Sequence, residues 1–281
     1  MNSEEYMRKT FTAAWCVLWF SLALFAQGGK ETQTKKYTFG GSSTVAPIIE
    51  SAIPAFMAEH KGVVLTYETL GSSVGIKQLQ EGTLSLAGSS RELKDSEIQA
   101  GLMPVTIALD GLSVAVNKDV GISNLSMAEL ASIFSGELTN WKEVGGLDEA
   151  VRLVVRDETS GTYGSFKEIV LDKAKKSPSK NAIVAKENGE VATKIASTPG
   201  AIGYIGMAFG KIITQAGGRV LTIDGVSPEA SQVKSGKYPI SRNLYMVSKG
   251  KAEGVEQTFI GFLLSPKGQA IVEESGFIAL H

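Results

Sequence analysis

From residue 37 onwards, short apolar runs alternate with longer stretches in which apolar residues recur at helical spacing. The pattern predicts strands at residues 37–40, 63–67 and 84–87, and helices at residues 45–59, 76–80 and 94–100. This order is a βαβαβ unit with short connections, which favours a parallel sheet covered by helices.

A second set of elements follows a longer apolar strand at residues 111–117. Its predicted helices and strands lie at residues 126–134, 151–156, 191–196 and 201–205. Residues 238–248 form another extended apolar segment, and a last amphipathic helix is predicted at 253–274. The chain has 281 residues, which exceeds the usual size of a single core, so we expect two lobes.

The N-terminus carries an apolar run at residues 11–25, preceded by Arg8 and Lys9. The run is shorter than the ~20 residues that span a bilayer as a helix, so it predicts a secretory signal at 1–28 and a polar tether at 29–36. A buried N-terminal helix is the alternative. The only cysteine, Cys16, stands too early for a convincing lipoprotein cleavage box. We therefore expect an exported, periplasmic protein and leave membrane association open.

Composition and charge then narrow the chemistry. The chain is 43% hydrophobic and 20% charged, as ordered globular proteins are, and its net charge of −1 provides no field that recruits nucleic acid or anionic lipid. One cysteine and two histidines exclude most zinc and thiol chemistry, and the sequence contains no Walker loop. We expect no cofactor and no metal.

One sequence motif is consistent with an enzyme. Residues 71–75 (GSSVG) match the nucleophile elbow of serine hydrolases, with Ser73 as the nucleophile. Such an enzyme also needs a downstream acid and histidine, and the only downstream histidine is His281, the final residue. The sequence therefore predicts a binding protein rather than an enzyme.

Glycine and hydroxyl residues cluster at four predicted strand-to-helix junctions. These junctions are residues 40–44, 71–73, 88–90 and 159–162. A helix N-terminus exposes unpaired N–H groups, serine and threonine add hydroxyl donors, and glycine permits close approach of a ligand. Plain N-capping is the alternative at any one junction. Four similar junctions together favour an anion site.

Two arginines adjoin these junctions. Arg156 ends an apolar strand just before the fourth junction, where a guanidinium can offer a tetrahedral oxyanion a bidentate pair. Arg91 directly follows Ser90 and is a second candidate, either as a ligand or in an ion pair between the lobes. The sequence thus predicts hydroxyl and guanidinium ligands for an oxyanion.

Several segments, in order, resemble the phosphate-binding subunit of bacterial phosphate ABC importers. They are residues 41–47, 71–77, 89–93, 133–136 with 139–141, 156–162 and 197–204. The resemblance implies an α/β, two-lobed periplasmic-binding-protein fold (type II) with two chain crossings, in which lobe I is 37–114 plus 244–281 and lobe II is 115–243. It also implies a monomer that binds inorganic phosphate with high affinity outside the cytoplasmic membrane and delivers it to the membrane permease of the importer.

Matching motif positions implies the ligand contacts. They are Ser43, Thr44, Val45, Ser72, Ser90, Arg156, Ser160, Gly161 and Thr162. Glu158 falls where the family places the carboxylate that holds the arginine.

The resemblance departs from the family at Ser90, where many members carry an aspartate that accepts the phosphate proton and rejects sulfate. We expect Asp110, oriented by Arg91, to replace that acceptor, with an ordinary Asp-Gly turn as the alternative. A receptor for another tetrahedral oxyanion, such as sulfate or molybdate, and a surface adhesin on the same scaffold are the alternative functions.

Overall fold

The computed structural model describes residues 34–281. The predicted signal at 1–28 lies outside the described residues, as does most of the predicted tether. The last two tether residues, Lys35 and Lys36, belong to the first strand instead. Within the described residues no helix is long and apolar enough to cross a membrane.

The described part of the chain alternates strands and helices. The strands are β1 (Lys35–Gly41), β2 (Val63–Thr69), β3 (Leu86–Ser89), β4 (Leu102–Asn117), β5 (Asn124–Leu125), β6 (Arg152–Arg156), β7 (Ala182–Ala185), β8 (Ala201–Gly206), β9 (Gly218–Val220), β10 (Thr222–Ile223) and β11 (Ser241–Lys249). The α-helices are α1 (Ala46–Glu59), α2 (Ser72–Glu81), α3 (Asp95–Gln99), α4 (Met127–Ser135), α5 (Gly161–Phe166), α6 (Asn188–Ser197), α7 (Gly210–Gln215), α8 (Ala230–Lys234), α9 (Gly254–Leu264) and α10 (Pro266–Glu274). A π-helical segment, Lys167–Asp172, continues α5.

The first half of the main sheet has the strand order β2-β1-β3-β11-β4. Strands β1 and β3 are parallel, and β11 runs antiparallel to both β3 and β4. Helix α1 follows β1 and helix α2 follows β2. The predicted βαβαβ unit is therefore confirmed, and the loops after β1, β2 and β3 lie at the carboxyl ends of neighbouring strands.

Strand β4 continues the sheet into its second half. Up to Gly111 it pairs with β11, and from Leu112 it pairs with β8, which is followed by β6 and β7. Strand β6 is parallel to both β7 and β8. The sequence pattern predicted this strand only from residue 111, because exposed positions and Pro104 interrupt the apolar pattern before it. Pairing with β11 makes the earlier residues a strand.

The prediction of a single C-terminal helix at 253–274 is wrong, because this segment forms two helices. Helix α9 ends at Leu264 and α10 begins at Pro266. Proline lacks the N–H that would continue a helix, and it is well suited to the first helical position. The Ser265 hydroxyl accepts a hydrogen bond from Gly268 N at 3.2 Å and caps the new helix.

Each half of the sheet has its own apolar core. In the first half Phe39, Phe56 and Phe259 pack together, with ring centroids 5.1 to 5.2 Å apart between Phe259 and the other two. In the second half Phe166 stacks on Tyr204 with ring centroids 3.8 Å apart. Only β4 runs through both halves of the sheet, since β11 pairs with β3 and with the first part of β4.

Candidate functional site

Buried hydroxyl groups from four strand-to-helix junctions meet beside strand β11. Ser42 Oγ donates to Ser90 Oγ at 2.9 Å, and Ser72 Oγ lies 3.4 Å from Ser90 Oγ. Thr44 Oγ1 lies 3.1 Å from Thr162 Oγ1. With Ser160, which is hydrogen-bonded to Thr162, these residues are at most 3% exposed, and we call them the hydroxyl cluster: Ser42, Thr44, Ser72, Ser90, Ser160 and Thr162.

The topology explains why these loops converge. The loops containing Ser42, Ser72 and Ser90 follow β1, β2 and β3, whose carboxyl ends share one edge of the sheet. Ser160 and Thr162 lie at the start of helix α5, which follows β6 in the other half. Ligands of open α/β sheets bind outside the carboxyl ends of the strands, where such loops meet.

Gly161 allows the two sets of loops to touch. A Cβ atom placed on this glycine would lie 2.1 Å from Ser72 Oγ and 2.5 Å from Ser90 Oγ. Any other residue would push these hydroxyls away, because real Cβ contacts are longer than 3 Å. The glycine is therefore required by the close approach across the cluster rather than by a turn.

Backbone N–H groups donate hydrogen bonds to several of these hydroxyl oxygens. The amide contacts are Thr44 N and Val45 N to Ser42 Oγ (3.1 and 3.3 Å), Ser90 N to Ser72 Oγ (3.1 Å) and Thr162 N to Ser160 Oγ (3.2 Å). A hydroxyl that accepts from an N–H group keeps its own proton available to another acceptor. The cluster therefore offers donors, as an oxyanion requires.

Arg156 lies at the end of β6 and is 2% exposed. Its Nη1 donates to Asn188 Oδ1 at 3.2 Å, and its Nη2 donates to Ser43 Oγ at 3.1 Å and to the Lys186 carbonyl. Among the described residues its Nε is buried without a hydrogen-bond partner. A buried, unpaired donor on a charged group is costly, so this guanidinium is suited to an anionic ligand. The Nε of Arg91 is also buried and unpaired, but both terminal nitrogens of Arg91 are neutralised by Glu97.

Arg242 is the residue that the sequence reasoning missed. It is 8% exposed, and its Nε and Nη2 donate to Asp110 Oδ2 at 3.0 and 2.7 Å. Its Nη1 donates to Thr162 Oγ1 and to the Ser90 carbonyl, both at 3.0 Å. The one available signal was a lone charge within the extended apolar segment at 238–248.

The structure corrects two expectations about Arg91. It forms an ion pair with Glu97 of α3, with Nη2 and Oε1 2.8 Å apart, so its partner lies in the same half of the sheet. It neither orients Asp110 nor bridges the two halves by an ion pair, because Asp110 is held by Arg242. Asp110 is completely buried, which raises the pKa of its carboxyl, while the Arg242 guanidinium acts in the opposite direction.

Two further predicted residues are in different surroundings from those expected. Glu158 is exposed, and none of the hydrogen bonds of Arg156 goes to it; Asn188 and the Lys186 carbonyl hold the guanidinium instead. Asn188 is buried and was not identified from the sequence. Ser43 is half-buried and contacts Arg156 rather than the centre of the cluster.

The described residues contain no group of three histidine, cysteine, aspartate or glutamate side chains placed to hold a metal ion. The polar groups found in this region are hydroxyls, amides, two guanidiniums and the Asp110 carboxylate.

Comparison with known proteins identifies the family. A sequence model of the PBP superfamily domain matches residues 26–267. The phosphate-binding protein PstS of Borreliella burgdorferi is 36% identical over 270 residues, which cover 94% of this chain and 97% of that protein. The chain belongs to the PstS family. The PstS of Bacillus subtilis is 35% identical over 253 residues, covering 89% of this chain and 82% of that protein.

Solved structures of similar proteins have the same fold. A substrate-binding protein from Clostridium perfringens with bound phosphate matches with a TM-score of 0.80 at 31% identity, covering 88% of this chain and 100% of that one. An ABC-type phosphate transport receptor from Vibrio cholerae matches with a TM-score of 0.73 at 28% identity, covering 86% and 99%. These comparisons confirm the family resemblance and the α/β, two-lobed periplasmic-binding-protein fold predicted from the sequence.

Proposed function

We propose that this protein binds inorganic phosphate outside the cytoplasmic membrane and delivers it to the membrane permease of a phosphate ABC importer. The observation that carries the proposal is the buried hydroxyl cluster beside Arg156, whose Nε lacks a partner among the described residues. The PstS relatives are named phosphate-binding proteins, and the Clostridium perfringens structure holds phosphate. Another oxyanion or an adhesin role is not favoured by these relatives.

The proposed ligand set follows from this arrangement. It comprises Ser43, Thr44, Val45, Ser72, Ser90, Arg156, Ser160, Gly161 and Thr162, with Ser42 added because its hydroxyl lies within the cluster. Arg156 supplies the charge, and the hydroxyls and backbone amides supply neutral donors to the remaining phosphate oxygens. Donors from both halves of the sheet converge at this site, so protein groups can replace the hydration shell of the anion.

We further propose that the two lobes are 37–114 with 244–281, and 115–243. This division is supported by the pairing of β4, which passes from β11 to β8 between Gly111 and Leu112, three residues before the proposed boundary. Closure about the two crossing strands would bring Thr162 and Gly161 onto Thr44 and Ser72, the contacts described above. Phosphate would then be enclosed between the lobes. Export is proposed from the signal predicted at 1–28, and a monomer suffices because one chain contains the whole proposed ligand set.

Isothermal titration calorimetry tests the function directly. Purified protein should bind phosphate one-to-one in a phosphate-free buffer that contains a metal chelator. Sulfate and molybdate are titrated in parallel, and turnover of an ester substrate is measured on the same sample. Absence of both heat and a thermal shift at millimolar phosphate would contradict the proposal, and tight binding of molybdate alone would assign the protein to another oxyanion.

Ser72 and Ser73 provide a matched pair of variants. Ser72 is completely buried, and its Oγ accepts from Ser90 N at 3.1 Å, so Ser72→Ala removes a donor to the ligand and leaves a buried amide unpaired. The Ser73 hydroxyl has only a 3.4 Å contact with Arg91 Nη2. We expect Ser72→Ala to weaken phosphate binding by about 1 to 3 kcal/mol and Ser73→Ala to leave it unchanged. Equal losses of affinity in calorimetry would show that the serines at residues 71–73 contact the ligand differently from this proposal.

A further inference from the structure

Arg242 and Asp110 form a buried ion pair, and Arg242 also contacts the hydroxyl cluster. Two of the guanidinium nitrogens, Nε and Nη2, are used by Asp110 Oδ2. The third, Nη1, points away from Asp110 and donates to Thr162 Oγ1 and to the Ser90 carbonyl at 3.0 Å each. Arg242 thus links strand β11 to Ser90, which follows β3 in the first half of the sheet, and to Thr162 of helix α5, which follows β6 in the second half.

The contact with Thr162 determines what that hydroxyl can do. A guanidinium has only donors, so Thr162 Oγ1 must accept this hydrogen bond. The Thr162 proton is then directed away from Arg242, towards Thr44 Oγ1 at 3.1 Å or towards a bound oxyanion. Arg242 therefore turns Thr162 into a fixed donor, as backbone amides do for Ser42, Ser72 and Ser160.

The Asp110 carboxylate has little capacity left for a ligand. Its Oδ2 accepts twice from Arg242, and its Oδ1 accepts from Met207 N at 3.2 Å. The Gly111 amide also favours the charged carboxylate. A carboxylate has about four lone-pair sites, and the three hydrogen bonds from Arg242 and Met207 leave little room for a ligand. This arrangement does not support the sequence-based expectation that Asp110 accepts the phosphate proton.

We propose that Arg242 is a positioning residue of the phosphate site, which fixes the Thr162 hydroxyl as a donor to the anion, and that Asp110 serves to hold Arg242. This inference rests on the proposed function and names a positioning residue within the same site. A positioning role for Asp110 and a role as proton acceptor predict different results in one measurement. A positioning pair acts on any tetrahedral oxyanion, whereas an acceptor acts only on an anion that carries a proton.

The first test uses Asp110→Asn, with phosphate and sulfate titrated into the purified protein at one pH. If Asp110 holds Arg242, the affinities for both anions fall together by about 10-fold or more, the factor for disturbing a hydrogen bond to a charged group. If sulfate is too weak to measure in the wild type, it stays too weak in the variant. A selective gain of sulfate binding would restore Asp110 as the acceptor and overturn the inference.

A second test replaces both charged residues of the buried pair by neutral ones, so that no unpaired charge remains in the core. We expect the double variant Asp110→Asn/Arg242→Gln to lose phosphate affinity by about 10- to 100-fold. The matched control is Arg91→Gln/Glu97→Gln, since Arg91 is similarly buried at 6% exposure but its guanidinium is paired away from the cluster. Equal affinities of the two double variants would overturn the inference.

Arg242→Lys provides the conservative variant if the neutral pair fails to fold. Lysine keeps the charge but not the planar fork that reaches Asp110 and Thr162 together, so phosphate affinity falls while the melting temperature stays near that of the wild type. Wild-type phosphate affinity in this variant would contradict the inference about Arg242 and leave the proposed function intact. Absence of phosphate binding in the wild-type protein would overturn the proposed function and, with it, this inference.

Discussion

Arg156→Ala should weaken phosphate binding by about 2 to 5 kcal/mol, or roughly 30- to 5,000-fold, the range for truncating one partner of a buried charge pair. The guanidinium is 2% exposed, and its described hydrogen bonds go to neutral oxygens rather than to a carboxylate. Burial lowers the pKa of Arg156; the nearby carboxylates of Glu187 and Asp157 raise it, and the charge of Arg242 lowers it. Such a group gains most when an anion neutralises it.

Arg152→Ala is the matched control, because Arg152 begins the same strand, β6, but is exposed. Calorimetry on both variants separates the loss of a ligand from a general change in charge. Circular dichroism at matched temperatures shows whether each variant is folded. If Arg156→Ala lost no more affinity than Arg152→Ala, the guanidinium would not be a ligand and the site would have to be placed elsewhere.

Gly161→Ala should weaken phosphate binding by about 1 to 3 kcal/mol, the usual cost of overpacking a tight contact. The added Cβ would lie 2.1 Å from Ser72 Oγ and 2.5 Å from Ser90 Oγ, which belong to the other half of the sheet. The free protein can relieve this clash by holding the lobes apart. The closed, ligand-bound state cannot, so the variant should fold normally and bind poorly.

Small-angle X-ray scattering gives an independent measurement of this effect. Wild-type protein should become more compact when phosphate is added, and Gly161→Ala should not. Gly189→Ala is the control, because a Cβ on Gly189 near the start of α6 meets no atom within 4 Å. Wild-type affinity together with wild-type compaction in Gly161→Ala would show that phosphate is bound without this close approach.

Much of the fold could be predicted from local pattern. The βαβαβ unit was predictable because its strands are short apolar runs separated by amphipathic helices. The start of β4 was not, since residues 102–110 mix exposed and buried positions. Those residues are a strand because β11, more than a hundred residues later, supplies their hydrogen-bond partners. Local sequence does not contain that partner.

The site divides in the same way. Residue type and position in the loops determined the hydroxyl-rich junctions and Arg156, because a ligand that needs donors requires those side chains at the ends of strands. The tertiary structure alone decided which charges pair. Asp110 and Arg242 are 132 residues apart in the chain, yet they share a buried ion pair, whereas Arg91 turns to Glu97 six residues away.

The sequence by itself therefore determined the kind of chemistry, the family and the order of the elements, because these depend on side-chain type and local periodicity. Only the tertiary structure decided the role of each charged side chain. A buried charge takes the partner that the surrounding strands bring within about 3 Å, and the antiparallel pairing of β4 with β11 places Asp110 opposite Arg242. That register is a long-range property of the folded sheet.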